Sequence, residues 1–294
     1  MGTGIVSLAL SLDGRATLGR ILLVATALAW LALVALLAAE LAQRRDVAST
    51  PNALTAVAGT CVLGAGLVHQ GDSAVGAGLL VVALVLWLLI VPPVLGRWKL
   101  STDGIAFLLT VATQSLAVLA SLVAARDRVD WLLDASLAPF LVGLALYPLV
   151  LLRFDFRQIV VGRGDQWVAG GALAISALAG AEIVLGARAL ATLDGVASVV
   201  QGIAVVAWAL AILWLPVLVI GEASHLRRRY AAERWATVFP VGMYAACSFA
   251  VGAVTHTGAM TDFARVWVWI AVAVWLVVLV GMVSRPSGGS AGRP

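Results

Sequence analysis

The stretch 235–249 holds the residues whose types and spacing best fit a specific task, the gating of a narrow apolar path. Phe239 stands directly before Pro240, and Gly242 follows two residues later, inside an otherwise apolar run. Proline removes a backbone hydrogen bond and bends a helix, which can push the preceding side chain toward an axis. A phenyl ring at that point would dewet and close a channel. The alternative is a packing kink with Phe239 in the protein interior.

Small and neutral polar residues form a second set of candidates. Hydroxyl and amide groups offer dipoles to a passing anion, and small residues allow helices to approach closely or to line a narrow path. The alternative for the polar members is hydrogen bonding between helices, worth about 0.6–2 kcal/mol each. The candidate pore-lining residues are Gly4, Thr60, Gly64, Thr113, Gln114, Gly180 and Ser248.

Glu182 is the acidic residue most clearly inside an apolar run. An ionisable residue within the membrane is a functional candidate, and here it could carry a proton in coupled transport of an acid. The alternative is that it snorkels to the surface or bonds a neighbour. The three histidines and two cysteines do not form the pattern of a metal site, so neither a metal nor a cofactor is predicted.

The elements that position these residues are membrane-spanning helices. Hydrophobic residues make up 62% of the 294 residues and charged residues 12%, with a mean hydropathy of +1.05, whereas soluble domains are about 25% charged. Continuous apolar runs exclude a β-barrel. The sequence therefore predicts an all-α polytopic membrane protein with about ten transmembrane helices, one domain over 1–284 and a flexible tail over 285–294. The runs cover 1–12, 18–42, 51–69, 74–95, 104–124, 131–152, 167–187, 197–221, 235–255 and 263–283.

Basic residues indicate the orientation of these runs. The joins after even-numbered runs and the tail hold 13 of the 19 Lys and Arg residues, and the cluster Arg227–Arg229 is the most basic join. The positive-inside rule places these joins and the C-terminus in the cytoplasm. The net charge of +4 thus reports orientation rather than nucleic-acid binding. A composition rich in Ala, Val and Gly is typical of a prokaryote, so we predict the inner (plasma) membrane.

Odd and even runs differ in chemistry. Eight of the 11 tryptophans lie in even runs, whereas glycines and small polar residues concentrate in odd runs. Bulky aromatic residues suit lipid contact, and small residues allow helices to approach closely. We predict five helical hairpins with odd helices forming an inner pore and even helices an outer ring. The alternative is a tightly packed bundle without a pore.

Four segments resemble motifs of the tellurite-resistance/dicarboxylate transporter family. The segment 235–245 resembles its ninth-helix signature, and 1–7, 58–64 and 111–118 resemble motifs of its first, third and fifth helices. The family includes the bacterial tellurite-resistance protein, plant slow anion channels, fungal malate carriers and sulfite efflux pumps. The family motif that matches 2–6 lies partway along the first helix, so the resemblance implies that this sequence lacks the beginning of that helix. Either the start of the protein lies further upstream, or the first helix is short.

The resemblance implies ten helices in five hairpins around a pore in each protomer, usually assembled as a homotrimer, with Phe239 at the position of the pore-occluding phenylalanine. The predicted function is a membrane anion channel or transporter for small inorganic or organic anions. The alternative is a proton-coupled secondary transporter for a C4-dicarboxylate such as malate, or a sulfite exporter. A membrane-embedded enzyme is a remote alternative, because no cluster of catalytic groups occurs in the sequence.

Overall fold

The computed structural model describes residues 1–42, 51–96, 103–161, 164–224 and 234–284, and these residues are almost entirely helical. The predicted tail over 285–294 and the basic cluster Arg227–Arg229 lie outside the described residues. Two 3-10 turns, Pro51–Ala53 and Gly104–Phe107, precede two of the helices. The helices are α1 Gly2–Leu12, α2 Ala16–Ala42, α3 Leu54–Gln70, α4 Ser73–Gly96, α5 Leu108–Asp127, α6 Asp130–Leu151, α7 Arg157–Val161, α8 Trp167–Leu190, α9 Val196–Ser224, α10 Trp235–Thr255 and α11 Gly258–Val283.

Eight of the described helices are long and apolar enough to cross a membrane, namely α2, α4, α5, α6, α8, α9, α10 and α11. The apolar helices α1 and α3 are shorter, with 11 and 17 residues, where a full crossing needs about 20. The prediction of an all-helical polytopic membrane protein is confirmed.

Burial divides the long helices into two groups. The apolar windows of α5, α8 and α10 are 89–94% buried, whereas those of α2, α4, α6, α9 and α11 are 17–33% buried. Most residues of α1 and α3 are also buried. The predicted contrast between inner odd-numbered runs and outer even-numbered runs is therefore confirmed.

The five inner helices form a closed ring in the described part of the chain. Contacts run from α1 to α3, α3 to α5, α5 to α8, α8 to α10, and from α10 back to α1. Each inner helix also contacts the outer helix that follows it in sequence, which gives the five predicted hairpins. Each outer helix contacts the inner helix of the next hairpin as well. Every inner helix is thus surrounded by protein, while the outer helices present apolar side chains to lipid.

A backbone contact joins the beginnings of the α5 and α8 segments. Gly104 lies so close to the carbonyl group of Asp165 that a Cβ at this glycine would overlap it. Asp165 is 7% exposed, and its Oδ1 atom is buried without a hydrogen-bond partner. Burial, with a smaller contribution from the charge of Asp103, raises the pKa of Asp165. The ionised carboxylate is therefore disfavoured in the fold relative to the unfolded chain.

We expect Asp165→Asn to stabilise the protein at neutral pH. Because the pKa of Asp165 is higher in the folded state, the native protein is favoured most below the unfolded pKa, and this advantage is lost as pH rises through the folded pKa. The neutral amide removes that loss, so its benefit should be largest at pH 7 and shrink toward pH 4. Thermal unfolding in detergent across this range measures the effect. Asp134→Asn, at an exposed position, should change little, and an equal shift at all pH values would contradict the argument.

Candidate functional site

A small cavity lies at the centre of the ring of inner helices. Its volume of about 10 Å³ is room for about one water molecule. All five inner helices contribute to its wall, which is mostly apolar. The lining residues are Ile5 and Leu8 of α1, Cys61, Val62 and Ala65 of α3, Ser115 and Val118 of α5, Ile175 and Leu178 of α8, and Met243 of α10. A cavity this small, narrow and apolar is closed to the passage of hydrated ions.

Helix α10 packs against α1 through one face. A Cβ at Gly2 would lie 3.1 Å from Val238 Cγ1, and a Cβ at Gly242 would lie 2.6 Å from Ile5 Cγ2. Val238 and Gly242 are four residues apart and so share this face. The absence of a side chain at Gly242 therefore allows close approach of the two helices.

A second face of α10 packs against α8 and α9. A Cβ at Gly171 would lie 3.0 Å from the ring of Pro240. One turn later, the hydroxyl of Tyr244 donates to the carbonyl oxygen of Ala211, at 2.9 Å. Helix α10 is continuous through Pro240, so the proline is accommodated within a packed helix and its predicted kink stays a prediction.

These contacts, together with helix geometry, indicate the side of α10 on which Phe239 lies. Val238 faces α1 and Pro240 faces α8. Since successive helical residues are rotated by about 100°, Phe239, which lies between them in sequence, points between α1 and α8. Met243 lies one turn further on the same face and lines the cavity. The opposite side of α10 faces outward, where the carbonyl oxygen of Val241 accepts a hydrogen bond from Trp267 Nε1 of α11 at 3.0 Å.

Helix geometry places one residue of each inner helix at the level of Phe239. The residues four positions before the cavity-lining Ile5, Val62, Ser115, Ile175 and Met243 form this level, which we name the gate layer; its members are Met1, Ala58, Val111, Gly171 and Phe239. Ala58, Val111 and Phe239 are each 0% exposed. Since Ala58 and Gly171 carry little or no side chain, the phenyl ring is the largest group in the gate layer.

Three of the predicted pore-lining residues bond tryptophans of outer helices. Thr60 accepts from Trp30 Nε1 at 2.9 Å, Thr113 from Trp87 Nε1 at 2.8 Å, and Ser248 from Trp208 Nε1 at 2.8 Å. A fourth pair of the same kind joins Trp275 Nε1 to Thr3 Oγ1 at 3.1 Å. In each case the tryptophan belongs to one hairpin and the hydroxyl to the inner helix of the next. These tryptophans thus turn inward, whereas Trp131 and Trp269 are 70% and 47% exposed.

The amide of Gln114 also lies away from the cavity. Its Nε2 donates to the carbonyl oxygen of Phe140 in α6 at 3.1 Å, and a Cβ at Gly143 would overlap its side chain. Its Oε1 atom is buried without a hydrogen-bond partner. The residue therefore contacts an outer helix.

The three glycines that were predicted to line a pore lie at contacts between helices. A Cβ at Gly4 would lie 2.7 Å from Val62 Cγ1, and one at Gly64 would lie 2.7 Å from Leu119 Cδ2. A Cβ at Gly180 would lie 3.0 Å from Ala204 and 3.2 Å from Phe140. None of the seven predicted pore-lining residues lines the small central cavity, and their role in lining a pore stays a prediction.

In two helices the cavity residues are displaced by a single position from the predicted pore-lining residues. Ile5 and Cys61 line the cavity, and they directly follow Gly4 and Thr60. A shift of one residue turns a side chain by about 100°. Polarity alone pointed to the hydroxyl and amide residues, and Thr60, Thr113, Gln114 and Ser248 each make a hydrogen bond to an outer helix. The spacing from Phe239 to the cavity-lining Met243 is the sequence signal for the cavity face of α10.

Glu182 lies on the cavity face of α8, four residues after Leu178 and seven after Ile175. It is 8% exposed. Within the described part of the chain, no hydrogen bond or ion pair engages its carboxylate. In the part of the chain that the structure describes, Glu182 is therefore an unpaired, buried acid on the same face of α8 as the cavity-lining residues.

The comparisons with known proteins agree with this architecture. The sequence profile of the SLAC1 family, described as voltage-dependent anion channel, matches residues 1–283. This match confirms the resemblance drawn from the motifs on the inner helices. No solved structure matches the chain significantly.

Two curated relatives come from Mycobacterium tuberculosis, strains CDC 1551 and H37Rv. Each is an uncharacterised membrane protein that is 34% identical over 134 residues, which cover 43% of this chain and 68% of the relative. These relatives are therefore bacterial membrane proteins, and their names give no substrate.

We expect the Trp87–Thr113 hydrogen bond to contribute measurably to stability. In a double-mutant cycle with Trp87→Phe and Thr113→Val, the coupling energy should be about 0.6 kcal/mol, and at most about 1.7 kcal/mol, as for other hydrogen bonds between membrane helices. Unfolding in mixed detergent measures it. The matched cycle with Trp131→Phe, which alters an exposed indole, should show no coupling to Thr113, and similar coupling in both cycles would argue against the bond.

Proposed function

We propose, from the premise that the chain belongs to the voltage-dependent anion channel family, that it conducts small anions along the axis of the inner ring and that Phe239 closes this path. The observation that carries the proposal is the shared direction of Phe239 and Met243, which projects the phenyl ring toward the axis one turn from the central cavity. Helices α3 and α8 contribute only Ala58 and Gly171 to the gate layer, so they leave room for the phenyl ring.

The wall of the proposed path suits weak interaction with an anion. Ser115 is the hydroxyl at the cavity, and it donates to the carbonyl oxygen of Val111 at 2.7 Å, so its oxygen dipole is held by its own helix. No residue of the cavity wall carries a formal charge. Conduction requires binding weak enough to permit release, and a neutral wall meets that condition.

The proposed orientation follows the positive-inside rule. The N-terminal ends of the inner helices then face the cytoplasm, as does the C-terminus, and the protein lies in the inner membrane of a prokaryotic cell. We also propose a homotrimer, which the family resemblance implies, with one path in each protomer. The particle mass in detergent tests this assembly.

Replacing Phe239 by alanine should increase anion flux. Removal of the ring opens the gate layer, and chloride, nitrate, malate and sulfite fluxes from proteoliposomes loaded with each anion measure the effect and the selectivity together. Phe140→Ala is a matched control, because Phe140 is equally buried but packs on α8 from an outer helix. It should cost stability without raising flux. Wild-type flux in a folded Phe239→Ala protein would argue strongly against the gate.

A thiol at the cavity offers an independent readout of the same variant. Cys61 lines the cavity, whereas Cys247 is fully buried with its Sγ 3.4 Å from the carbonyl oxygen of Tyr244. These are the two cysteines of the sequence, so Cys247→Ala leaves Cys61 as the single thiol. A small anionic sulfonate thiol reagent should modify Cys61 faster after Phe239→Ala. Equal rates would mean that the ring does not restrict access.

A proton-coupled carrier for a C4-dicarboxylate such as malate, or a sulfite exporter, is the second candidate. The observation that favours it is the unpaired carboxylate of Glu182 on the cavity face of α8. A coupled carrier should accumulate malate or sulfite against its gradient when a pH gradient is imposed, and Glu182→Gln should abolish this accumulation. A channel dissipates the gradient in both proteins.

A further inference from the structure

The inner helices carry a third level of residues toward their C-terminal ends. Positions seven residues after Ile5, Val62, Ser115, Ile175 and Met243 lie on the same faces, two turns or about 10 Å further along. We name this level the mouth layer. Its members are Leu12, His69, Leu122, Glu182 and Ala250.

The mouth layer differs chemically from the two levels below it. The side chains of the cavity wall and of the gate layer are neutral, whereas those of the mouth layer include a carboxylic acid and an imidazole. His69 is exposed and Glu182 is 8% exposed. Because Glu182 lies two turns beyond the level of Met243 and shares the face of Ile175, an anion that follows the proposed path from this end passes the level of its carboxylate. We propose that Glu182 controls access of anions to the path from the C-terminal ends of the inner helices, excluding them when charged and admitting them when protonated.

The neighbouring elements hold charged groups of both signs, and none of these groups pairs with Glu182 in the described residues. Helix α5 ends with Arg126 and Asp127, and α6 begins with Asp130 and carries Asp134. Helix α10 has no charged residue before His256.

The basic residue closest in sequence on α8 itself is engaged elsewhere. Arg188 Nη2 donates to Gln201 Oε1 and to the carbonyl oxygen of Val254, each at 2.8 Å. Its guanidinium thus joins the ends of α8, α9 and α10 instead of neutralising Glu182. Arg188 therefore does not neutralise the charge of the Glu182 carboxylate. His69 is the other titratable member of the mouth layer.

The inference rests on the proposed function, because it concerns access to the same path. At an effective dielectric constant of about 20, a charge several ångströms from the axis changes anion occupancy by about tenfold or more. Anion access should therefore increase on acidification. The role of Glu182 is one of specificity and differs from the steric role of Phe239.

Chloride flux from proteoliposomes of the full chain, with equal pH on both sides, tests the inference. In a Phe239→Ala background, flux should rise at least about tenfold from pH 8 to pH 5. Adding Glu182→Gln should remove this rise and leave flux high at pH 8, while adding His69→Gln should retain the rise. The assignment would be overturned if adding His69→Gln to Phe239→Ala removed the rise in flux on acidification, or if the rise persisted after Glu182→Gln was added.

The same experiment distinguishes failure of the Glu182 inference from failure of the proposed anion path. Flux above that of protein-free liposomes with no pH dependence overturns the role of Glu182 but leaves the anion path standing. No flux in any variant at any pH overturns both.

A chemical readout covers the case in which the glutamine variant does not fold. Dicyclohexylcarbodiimide reacts with protonated carboxyl groups in apolar surroundings, so labelling of the peptide that contains Glu182 in the wild-type protein should decline as pH rises from 5 to 8. Labelling that is absent or constant over this range would contradict a protonation switch at this residue.

Discussion

The rotation of each inner helix about its own axis is the constraint on which this structure depends. A helix at the centre of a membrane protein is apolar on all sides, so hydrophobicity does not hold it in one orientation. Hydrogen bonds from the outer helices do so. The indoles of Trp30 and Trp87 bond hydroxyls on the inner helices of the following hairpins, because a hydroxyl or indole N–H left unpaired in the bilayer is costly. Because these hydrogen bonds run from the inner helices toward the outer helices, they keep the bonded hydroxyl groups off the central axis.

That constraint explains the chemistry of the axis. With Thr60 and Thr113 turned outward, the residues that follow them in the helices supply the wall of the cavity, and this wall is apolar apart from Ser115 and the Cys61 thiol. Helix geometry puts Phe239 at the level of the small residues Ala58 and Gly171. In the proposed path, width and dewetting restrict passage, and electrostatic selection falls to the level of Glu182.

Glycines complete the arrangement by setting the distances between helices. Gly242 admits Ile5, and Gly171 admits the ring of Pro240, so α10 approaches α1 and α8 closely on either side of Phe239. The Pro240–Gly242 pair, interpreted from sequence as the origin of a kink, is thus also the pair that seats α10 in the ring. The predicted kink depends on the missing backbone donor of proline, and the close packing depends on the missing side chain of glycine.

The sequence by itself determined the membrane class, the hairpin organisation and the division into inner and outer helices, since apolar run length and the segregation of tryptophan from glycine follow directly from contact with lipid or protein. It also identified Phe239 and Glu182 as candidates. Only the tertiary structure decided which face of each inner helix points to the axis. Thr60, Thr113 and Gln114 could bond an anion or a neighbouring helix equally well in terms of composition, and because inner helices are buried on every side, no polar stripe marks the difference. A rotation of about 100° separates the two arrangements, and packing between hairpins distant in sequence selects one of them.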